Sequence, residues 1–326
     1  MRKILLVAMC LVIVSCNETN EIVDANQSRV SLAVQNLPPL DGGHYQLWAT
    51  FFRFNKPDGG DSPTHEGEFV SIGEFKVMND GSLRSLNGTS ARFSLPSGRN
   101  PQLLKDVVIA VQTDLDHGFA KTNDEEPGSI LIGGAFHGDA SRAIADLSIS
   151  YADAFRTSFS SVSGKCTITC PTSPADSNSG VWFIEPGSPI TAGLKNLPAL
   201  PQEWRYEGWV MRPDIVNGGF TYWSTGKFAK ADSADYDGAG PNSGTGSAYN
   251  FPGQDFVRGS TVFSNLLTGG YSFMITMEPF PDVSANPFFL KLLSTQSVAV
   301  PPTGRSLTMQ NVVASSAPTA HVIIER

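Results

Sequence analysis

An internal repeat constrains this chain more than any other feature of its sequence. The motif Asn-Leu-Pro-x-Leu occurs at residues 36–40 and 196–200, and Tyr-x-x-Trp follows each copy, at residues 45–48 and 206–209. Three further matched pieces come in the same order: Ser-x-Gly-x-Phe at 71–75 and 224–228, apolar segments at 107–113 and 271–278, and apolar segments at 129–132 and 288–292. Matched order over both halves predicts two similar structural units.

The repeated pieces read as β-strands. Tyr206 and Val210 alternate with Glu207 and Trp209, as expected for half-buried strands with one aromatic ring on each face. Within the strands, Gly73 and Gly226 predict bulges or close backbone approaches. The chain has 31 Gly and 22 Pro residues, and only 17% of its residues are charged, which suits strands joined by many turns. We therefore predict an all-β protein of two tandem β-sandwich domains, residues 31–154 and 155–326.

The strands that close each domain are less regular. Residues 142–150 read as the last strand of the first domain, and residues 319–325 as the strand that closes the second. Two apolar pieces, residues 167–169 and 180–185, flank a polar segment rich in Pro and Ser. They predict a hairpin that opens the second domain.

The first residues are typical of an export signal. Arg2 and Lys3 precede an apolar stretch at residues 4–14, and polar residues follow at once. This stretch is shorter than the roughly 20 residues that a membrane-spanning helix needs. We expect residues 1–15 to be a cleaved signal peptide and residues 16–30 to be a flexible tether.

Residues 13–16, Ile-Val-Ser-Cys, resemble the lipobox of bacterial lipoproteins. The resemblance implies cleavage before Cys16 and acylation of its thiol, and two acyl chains hold a protein stably on a bilayer. Asn17 after the cysteine implies the outer membrane as the location. The alternative is an ordinary secretory signal that contains a cysteine.

Charge and scattered polar residues limit the partners and sites. The net charge of −8 argues against nucleic acid and anionic lipid as the main partner. The histidines show no metal-binding spacing, and neither a phosphate loop nor a nucleophile elbow is present, so we expect no cofactor and no catalytic residue. Asp232, Asp235 and Asp237 form a weak candidate for Ca²⁺, with a solvated turn as the alternative.

Cys166 and Cys170 are candidates for a disulfide, which export permits. A strand of this length spans about 13 Å, whereas bridged Cα atoms lie within roughly 7 Å. The two cysteines could therefore pair only if the segment is a turn, and otherwise they are partly buried thiols. Among the aromatic residues, Trp204, Tyr222 and Trp223 are candidates for an exposed binding surface, with packing in the core as the alternative.

The order of these motifs resembles the extracytoplasmic C-terminal domain of anti-sigma-K factors. The resemblance extends over most of residues 31–326, and its motifs are structural. It implies β-sandwiches on the outer side of a membrane and no catalytic residue. Anti-sigma factors also carry a helical sigma-binding domain and a membrane-spanning helix, and neither is recognisable here, so direct inhibition of a sigma factor is not expected.

From these observations we predict a non-catalytic, lipid-anchored protein of the cell envelope that senses or binds another protein outside the cytoplasm. Two alternatives remain open. A carbohydrate-binding lipoprotein would need an exposed aromatic platform. A hydrolase would need a pocket with converging carboxylates or a histidine.

Overall fold

The computed structural model describes residues 28–54, 63–64, 68–113, 126–139, 141–268, 270–282, 284–295 and 305–325. Strands β1 to β10 are Arg29–Gln35, His44–Phe51, Arg53–Phe54, Pro63–Thr64, Val70–Val77, Leu83–Arg84, Leu104–Gln112, Ser129–Ala135, His137–Gly138 and Arg142–Leu147. Strands β11 to β21 are Gly164–Ile168, Gly180–Trp182, Ile184–Glu185, Thr191–Ala192, Trp204–Pro213, Phe220–Phe228, Gly253–Asp255, Ser272–Pro279, Lys291–Ser294, Ser306–Asn311 and Thr319–Glu325. The helical elements in these residues are α1 (Val313–Ser316) and two 3-10 turns, Pro101–Leu103 and Pro174–Asp176. The prediction of an all-β protein is confirmed.

The sequence repeat corresponds to two blocks of antiparallel strands with the same order, β5-β2-β7-β8 and β16-β15-β18-β19. We call them the first and the second repeat. Tyr45 and Tyr206 show how closely they agree, because each hydroxyl donates to a carbonyl of the Asn-Leu-Pro motif, that of Pro38 and of Pro198, at 2.8 Å. In each repeat the same Tyr ring stacks on the Phe of Ser-x-Gly-x-Phe, with centroids 5.6 Å apart.

The predicted bulges are present in both repeats. The ladder between β2 and β5 shifts register between Leu47 and Trp48, opposite the segment that holds Gly73. The ladder between β15 and β16 shifts between Glu207 and Trp209, opposite the segment that holds Gly226. A bulge adds twist to its strand and redirects the side chains that follow.

Further strands extend the repeats, β1 and β10 beside the first and β20 beside the second, and each repeat is completed by the strand that follows the other one in the chain. Strand β21 lies between β1 and β10 of the first repeat and pairs with both. Strand β11, which follows β10 in the chain, pairs instead with β20 of the second repeat, and Lys165 at its start donates to the Gly193 carbonyl at 3.0 Å. The two repeats therefore exchange strands reciprocally.

The prediction that residues 319–325 close the second half was wrong. Strand β20 is already flanked by β19 and β11, so it offers β21 no free edge. Strands β1 and β10 stand one strand apart, and β21 fills the space between them. The predicted hairpin that precedes the second repeat is confirmed, because Thr167 pairs with Trp182. The division into domains 31–154 and 155–326 stays a prediction.

The asparagine of each Asn-Leu-Pro motif fastens the exchanged segment. Asn36 and Asn196 have positive φ angles of 53° and 57°, a conformation that asparagine tolerates better than most residues. The Asn36 amide donates to the Ala317 carbonyl at 3.2 Å, and the Asn196 amide donates to the Ser161 carbonyl at 3.0 Å. Both acceptors immediately precede the exchanged strands, so the motif has one structural role in both repeats.

The central strands are buried on both faces, whereas the sequence predicted half-buried strands. Every residue of β18 is buried, and in β2 only the first residue, His44, is not. Glu207 and Trp209 on the outer face of β15 are 2% exposed each. The other face packs into a core that is continuous through both repeats. Polar side chains on the outer face consequently have to be satisfied within the protein.

The described helices include none that is long and apolar enough to cross a membrane. The predicted signal peptide, Cys16 and most of the tether lie outside the described residues.

Candidate functional site

A network of charged side chains lies on the outer face of the second repeat. Glu207 is on β15, Lys227 is on β16, Glu278 is on β18 and Asp282 is in the loop after β18. Glu207 and Glu278 are only 2% and 1% exposed. Burial of several ionisable groups is unusual and requires that they be paired. We refer to these four residues as the carboxylate–lysine network.

The lysine lies at the centre of the network. Lys227 Nζ lies 2.6 Å from Glu207 Oε2 and 3.0 Å from Asp282 Oδ2. The Ser224 hydroxyl donates to the other oxygen of Glu207. One ammonium therefore bridges a carboxylate of the sheet and a carboxylate of the covering loop.

Glu278 is held by neutral donors. The Phe288 amide lies 2.9 Å and 3.1 Å from its two carboxylate oxygens, and the Thr276 hydroxyl donates to one of them. Thr276 in turn accepts the indole N–H of Trp209 at 2.8 Å. Glu278 thus fastens the loop that carries Phe288 to the sheet beneath it.

The protonation states follow from burial. Burial raises the pKa of Glu278 to about 8, and the Glu207 charge also raises it, whereas the Thr276 hydrogen bond acts in the opposite direction. The pKa of Glu207 is also raised, because burial outweighs the attraction of Lys227. Burial lowers the pKa of Lys227, but the charges of Glu207 and Asp282 overcome this and raise it. The network therefore brings two carboxyl groups of raised pKa together with a lysine whose pKa is also raised.

A divalent cation does not fit this network. Ligand atoms of Glu207, Glu278 and Asp282 lie within 4.8 Å of one another, which is close enough for a shared ion. The Lys227 ammonium, however, already contacts two of the three carboxylates. It supplies the positive charge that a metal would bring.

The first repeat has the same arrangement with neutral side chains. Gln46 and Gln112 occupy the positions of Glu207 and Glu278. Gln46 directly follows the repeated Tyr, as Glu207 does. Gln112 pairs with the residue that precedes this Tyr, as Glu278 does. Gln112 Nε2 donates to Gln46 Oε1 at 2.8 Å, and Gln46 Nε2 donates to Ser71 Oγ at 2.8 Å. The position accepts amides or carboxyl groups, so its shared role is to pair polar groups on the outer face of the sheet.

The network makes stability depend on pH. Glu278 has a native pKa of about 8 and an ordinary value of 4.5, so between these values the native protein keeps a proton that the unfolded chain has lost. We expect the free energy of unfolding to fall as pH rises through this window, by up to about 1.4 kcal/mol per pH unit for one group. Urea denaturation at several pH values measures this slope.

The matched variant is Glu278→Gln, which keeps the shape and removes the titration. Its slope should be shallower than that of the unmodified protein across the same window. Asp235, whose pKa is also raised to about 8, should account for the pH dependence of stability that remains in this variant. An unchanged slope in Glu278→Gln would show that Glu278 is not protonated in the native state.

A groove of about 220 Å³ lies between the two repeats beside the network. Leu40, Asp41 and Thr113 line it from the first repeat, and Asp282 and Phe288 line it from the second. Neither Glu207 nor Glu278 is among its lining residues. A substrate in this groove would meet the carboxylates of Asp41 and Asp282, but both are already engaged, Asp41 by hydrogen bonds from Ser284 and Asn286 and Asp282 by the Lys227 ammonium.

The three aromatic residues predicted to form a binding surface are not brought together. Trp204 is 1% exposed, its ring lies 4.8 Å from that of Phe155, and its indole N–H donates to the Ile130 carbonyl at 3.1 Å. The other reading of Trp204, packing in the core, describes its position, because this ring fills the junction between the repeats. Tyr222 and Trp223 are half-buried on opposite faces of β16, where they contact Trp209 and Phe263.

A β-hairpin arm extends beyond the sheet of the second repeat. The pairing of β15 with β18 ends at Met211, whereas β15 and β16 continue together to the pair Pro213 and Phe220. We call residues 212–221 the arm. Among the described residues, the two strands of the arm pair only with each other, which leaves both of their outer edges without a partner strand. The arm is therefore available to contact another molecule.

The tip of the arm presents apolar side chains on an ordered turn. Ile215 is 94% exposed, Val216 is 85% exposed and Phe220 is 46% exposed. The Asp214 carboxylate accepts the amides of Val216 and Asn217 at 3.0 Å each, which fixes the turn. The sequence analysis did not identify this site. An Ile-Val pair within a turn that begins with Asp and ends with Gly-Gly could have indicated it.

The predicted Ca²⁺ candidate is only partly assembled. Asp235 is 7% exposed, and its Oδ2 accepts the Gly253 amide at 3.0 Å. Burial raises its pKa to about 8, and the neighbouring charge of Asp237 also raises it. Asp232 does not join them in a group of three close ligand atoms among the described residues.

Cys166 and Cys170 are free, buried thiols, and the candidate disulfide is not formed. Cys166 lies inside β11, whose extended backbone keeps the two residues apart. Burial raises the pKa of Cys170 to about 12 and that of Cys166 further, so both stay protonated.

Comparison with known proteins adds no relative. No family model matches the chain, and the searches of curated proteins and of solved structures found no match. The resemblance to anti-sigma-K factors consequently stays a prediction, and the function has to be argued from the geometry.

Proposed function

We propose that this chain is a non-catalytic, lipid-anchored protein of the cell envelope that binds another protein through the arm of its second repeat. The observation that carries the proposal is the tip of the arm, where Ile215 and Val216 are 94% and 85% exposed. Single apolar residues on a surface are common, but adjacent, almost fully exposed aliphatic residues on an ordered turn form an apolar patch of the kind that marks interaction sites.

The chemistry of the arm favours a protein partner over a membrane or a sugar. Arg212 is the only basic residue of the arm, and its guanidinium lies over the Tyr271 ring at 5.4 Å. Loops that enter anionic membranes pair apolar residues with free cations, and a net charge of −8 is repelled by such surfaces. A sugar would need an exposed aromatic platform, whereas the most exposed side chains of the tip are aliphatic.

The anchor supports the same role from the sequence side. Acylation at Cys16 would hold the protein at a membrane. The residues from there to Ser28 would form a tether that lets the folded repeats move away from the membrane surface. Two repeats that share strands make a stable platform for a projecting arm. The domains resembling those of anti-sigma-K factors fit a sensing or binding role without the sigma-binding part.

Crosslinking in intact cells tests this proposal. A photoreactive amino acid at position 216 should give a discrete adduct with one protein in the membrane fraction. Replacing Ile215 and Val216 with Ser should abolish the interaction while changing stability by no more than about 0.5 kcal/mol, because both side chains are exposed. Mass spectrometry of the adduct and thermal denaturation of the variant measure the two effects.

Two controls make the result specific. The same photoreactive residue at Asn79, which is exposed in a turn of the first repeat, should give no such adduct. Replacing Cys16 with Ala should release the protein from the membrane fraction. If the Ser variant keeps the partner, the arm is not the binding site, and if the Cys16 variant stays on the membrane, the lipid anchor is wrong.

A further inference from the structure

Strand β16 is an edge strand of its sheet, and its outer edge is open from the arm to Ser224. The Asp214 amide donates to the Gly219 carbonyl at 3.0 Å, so these two residues form a hydrogen-bonded pair at the end of the arm. Hydrogen-bonded and non-hydrogen-bonded pairs alternate along an antiparallel ladder. The backbone amides and carbonyls of Phe220, Tyr222 and Ser224 therefore point away from β15. None of these groups has a hydrogen-bond partner among the described residues.

The open edge has defined limits. Beyond Ser224 the Lys227 carbonyl accepts the Tyr236 amide at 2.9 Å, so the loop after β16 covers that part of the strand. The opposite edge of the arm, along β15, is less suited to pairing, because Pro213 occupies the outward position and has no amide hydrogen to donate. The edge of β16 is therefore the side of the arm that can accept another strand.

The side chains along this edge do not protect it from pairing. Exposed sheet edges in soluble proteins usually carry lysine, proline or a bulge that discourages the approach of another strand. Residues 220–225 read Phe-Thr-Tyr-Trp-Ser-Thr, which contains no charge and no proline and is rich in residues that favour strands. The Tyr222 ring lies 6.2 Å from that of Phe220 on one face, and Trp223 lies on the other. A strand added here would meet an aromatic ring on each face.

The first repeat shows what covers such an edge. Its counterpart of β16 is β5, which pairs along its outer edge with β6. The Ile72 carbonyl in β5 accepts the Ser94 amide at 3.3 Å, and Arg99 lies 3.8 Å from the Glu68 carboxylate just before β5. A segment of the chain itself, residues 94–99, thus runs beside this edge. Strand β16 has no such neighbour among the described residues.

We propose that the partner of the arm supplies the missing strand, as an extended segment of another protein that pairs with the backbone of Phe220, Tyr222 and Ser224. Uncharged side chains on both faces of this segment would pack against the aromatic rings of β16. The inference rests on the proposed function, because Ile215 and Val216 are at the tip of the same arm. It adds the class of ligand, which is a polypeptide strand rather than a helix or a small molecule.

Tyr222→Pro tests the backbone pairing on the full chain in intact cells. The substitution removes the outward amide of residue 222 and spares the ladder with β15, which does not use that amide. With the photoreactive residue at position 216, the adduct yield should fall by at least about tenfold, because an added strand loses a donor and meets the proline ring. Tyr222→Val, which removes the aromatic ring but keeps the amide, should lower the yield by no more than about threefold. Thermal denaturation shows whether both variants fold.

Amide hydrogen exchange gives a second measurement that needs no folded proline variant. In the purified adduct, the amides of Phe220, Tyr222 and Ser224 should exchange at least about tenfold more slowly than in the free protein. The amides of Thr221 and Trp223 already face β15 and should change less, so they serve as the internal reference.

The outcomes separate this inference from the proposed function. A folded Tyr222→Pro variant with a normal adduct yield would reject the added strand, and so would unchanged exchange at the three edge amides of the adduct. If replacing Ile215 and Val216 with Ser still abolished the adduct, the proposed function would stand without the added strand. An adduct made of two copies of this chain would show self-association in place of a partner protein. Absence of any adduct at position 216 would reject both proposals.

Discussion

Replacing Val322 with Asp should unfold the first repeat, although residue 322 lies far from that repeat in the sequence. Val322 is fully buried in β21, where it pairs with Leu32 of β1 and Ala145 of β10. An unpaired charge at this position should reduce the free energy of unfolding by at least about 4 kcal/mol. Urea denaturation measures the loss, and amide hydrogen exchange should show β1 and β10 losing protection before β19.

The neighbouring residue provides the control. His321 points to the opposite face, has a side chain that is 46% exposed, and lies 2.7 Å from an Asp146 oxygen. His321→Ser should change stability by no more than about 1 kcal/mol, because exposed ion pairs contribute little. If Val322→Asp instead loosened β19 and β20 while β1 stayed protected, the reciprocal exchange of strands would be refuted.

Replacing Lys227 with Met should destabilise the second repeat by about 3 to 5 kcal/mol at neutral pH. The substitution leaves Glu207, which is 2% exposed, and the nearby Asp282 without their shared cation. Removing one partner of a buried ion pair costs more than the pair itself contributes, since the remaining charge is stranded. The free energy of unfolding from urea titration gives the magnitude.

The first repeat indicates how this loss can be reversed. Gln46 and Gln112 satisfy each other without charge at the equivalent positions. The triple variant Glu207→Gln, Glu278→Gln, Lys227→Met should therefore recover most of the stability lost by Lys227→Met alone. Glu74, the half-exposed counterpart of Lys227, supplies the control, and Glu74→Gln should change stability by no more than about 0.5 kcal/mol. A triple variant as unstable as the single one would mean that charge is required here.

Local features of this fold could be predicted from the sequence, and the pairing of distant strands could not. The repeated motifs identified the central strands and the bulges beside Gly73 and Gly226, because alternation and glycine placement are properties of short segments. They also placed residues 319–325 in a strand. Which sheet accepts that strand depends on which edge is free, and alternation within the strand does not encode it.

The same limit explains what was missed in the candidate sites. The sequence analysis did not single out Glu207 and Lys227 as a site, since nothing in their own segments shows that a later loop covers them. Trp204 read as a loop-end aromatic, whereas it is buried at the junction with the first repeat. In each case the deciding contact comes from a residue far away in the chain, Asp282 for Lys227 and Ile130 for Trp204.

The exchange of strands also sets an order of events during synthesis. Strands β1 to β10 are made early, but the space between β1 and β10 stays open until residues 319–325 have emerged. The amino-terminal half therefore cannot reach its final state while the rest of the chain is still being made. If the proposed export signal is correct, late completion of the first repeat would delay folding until the whole chain has been made, which suits transport across a membrane before folding.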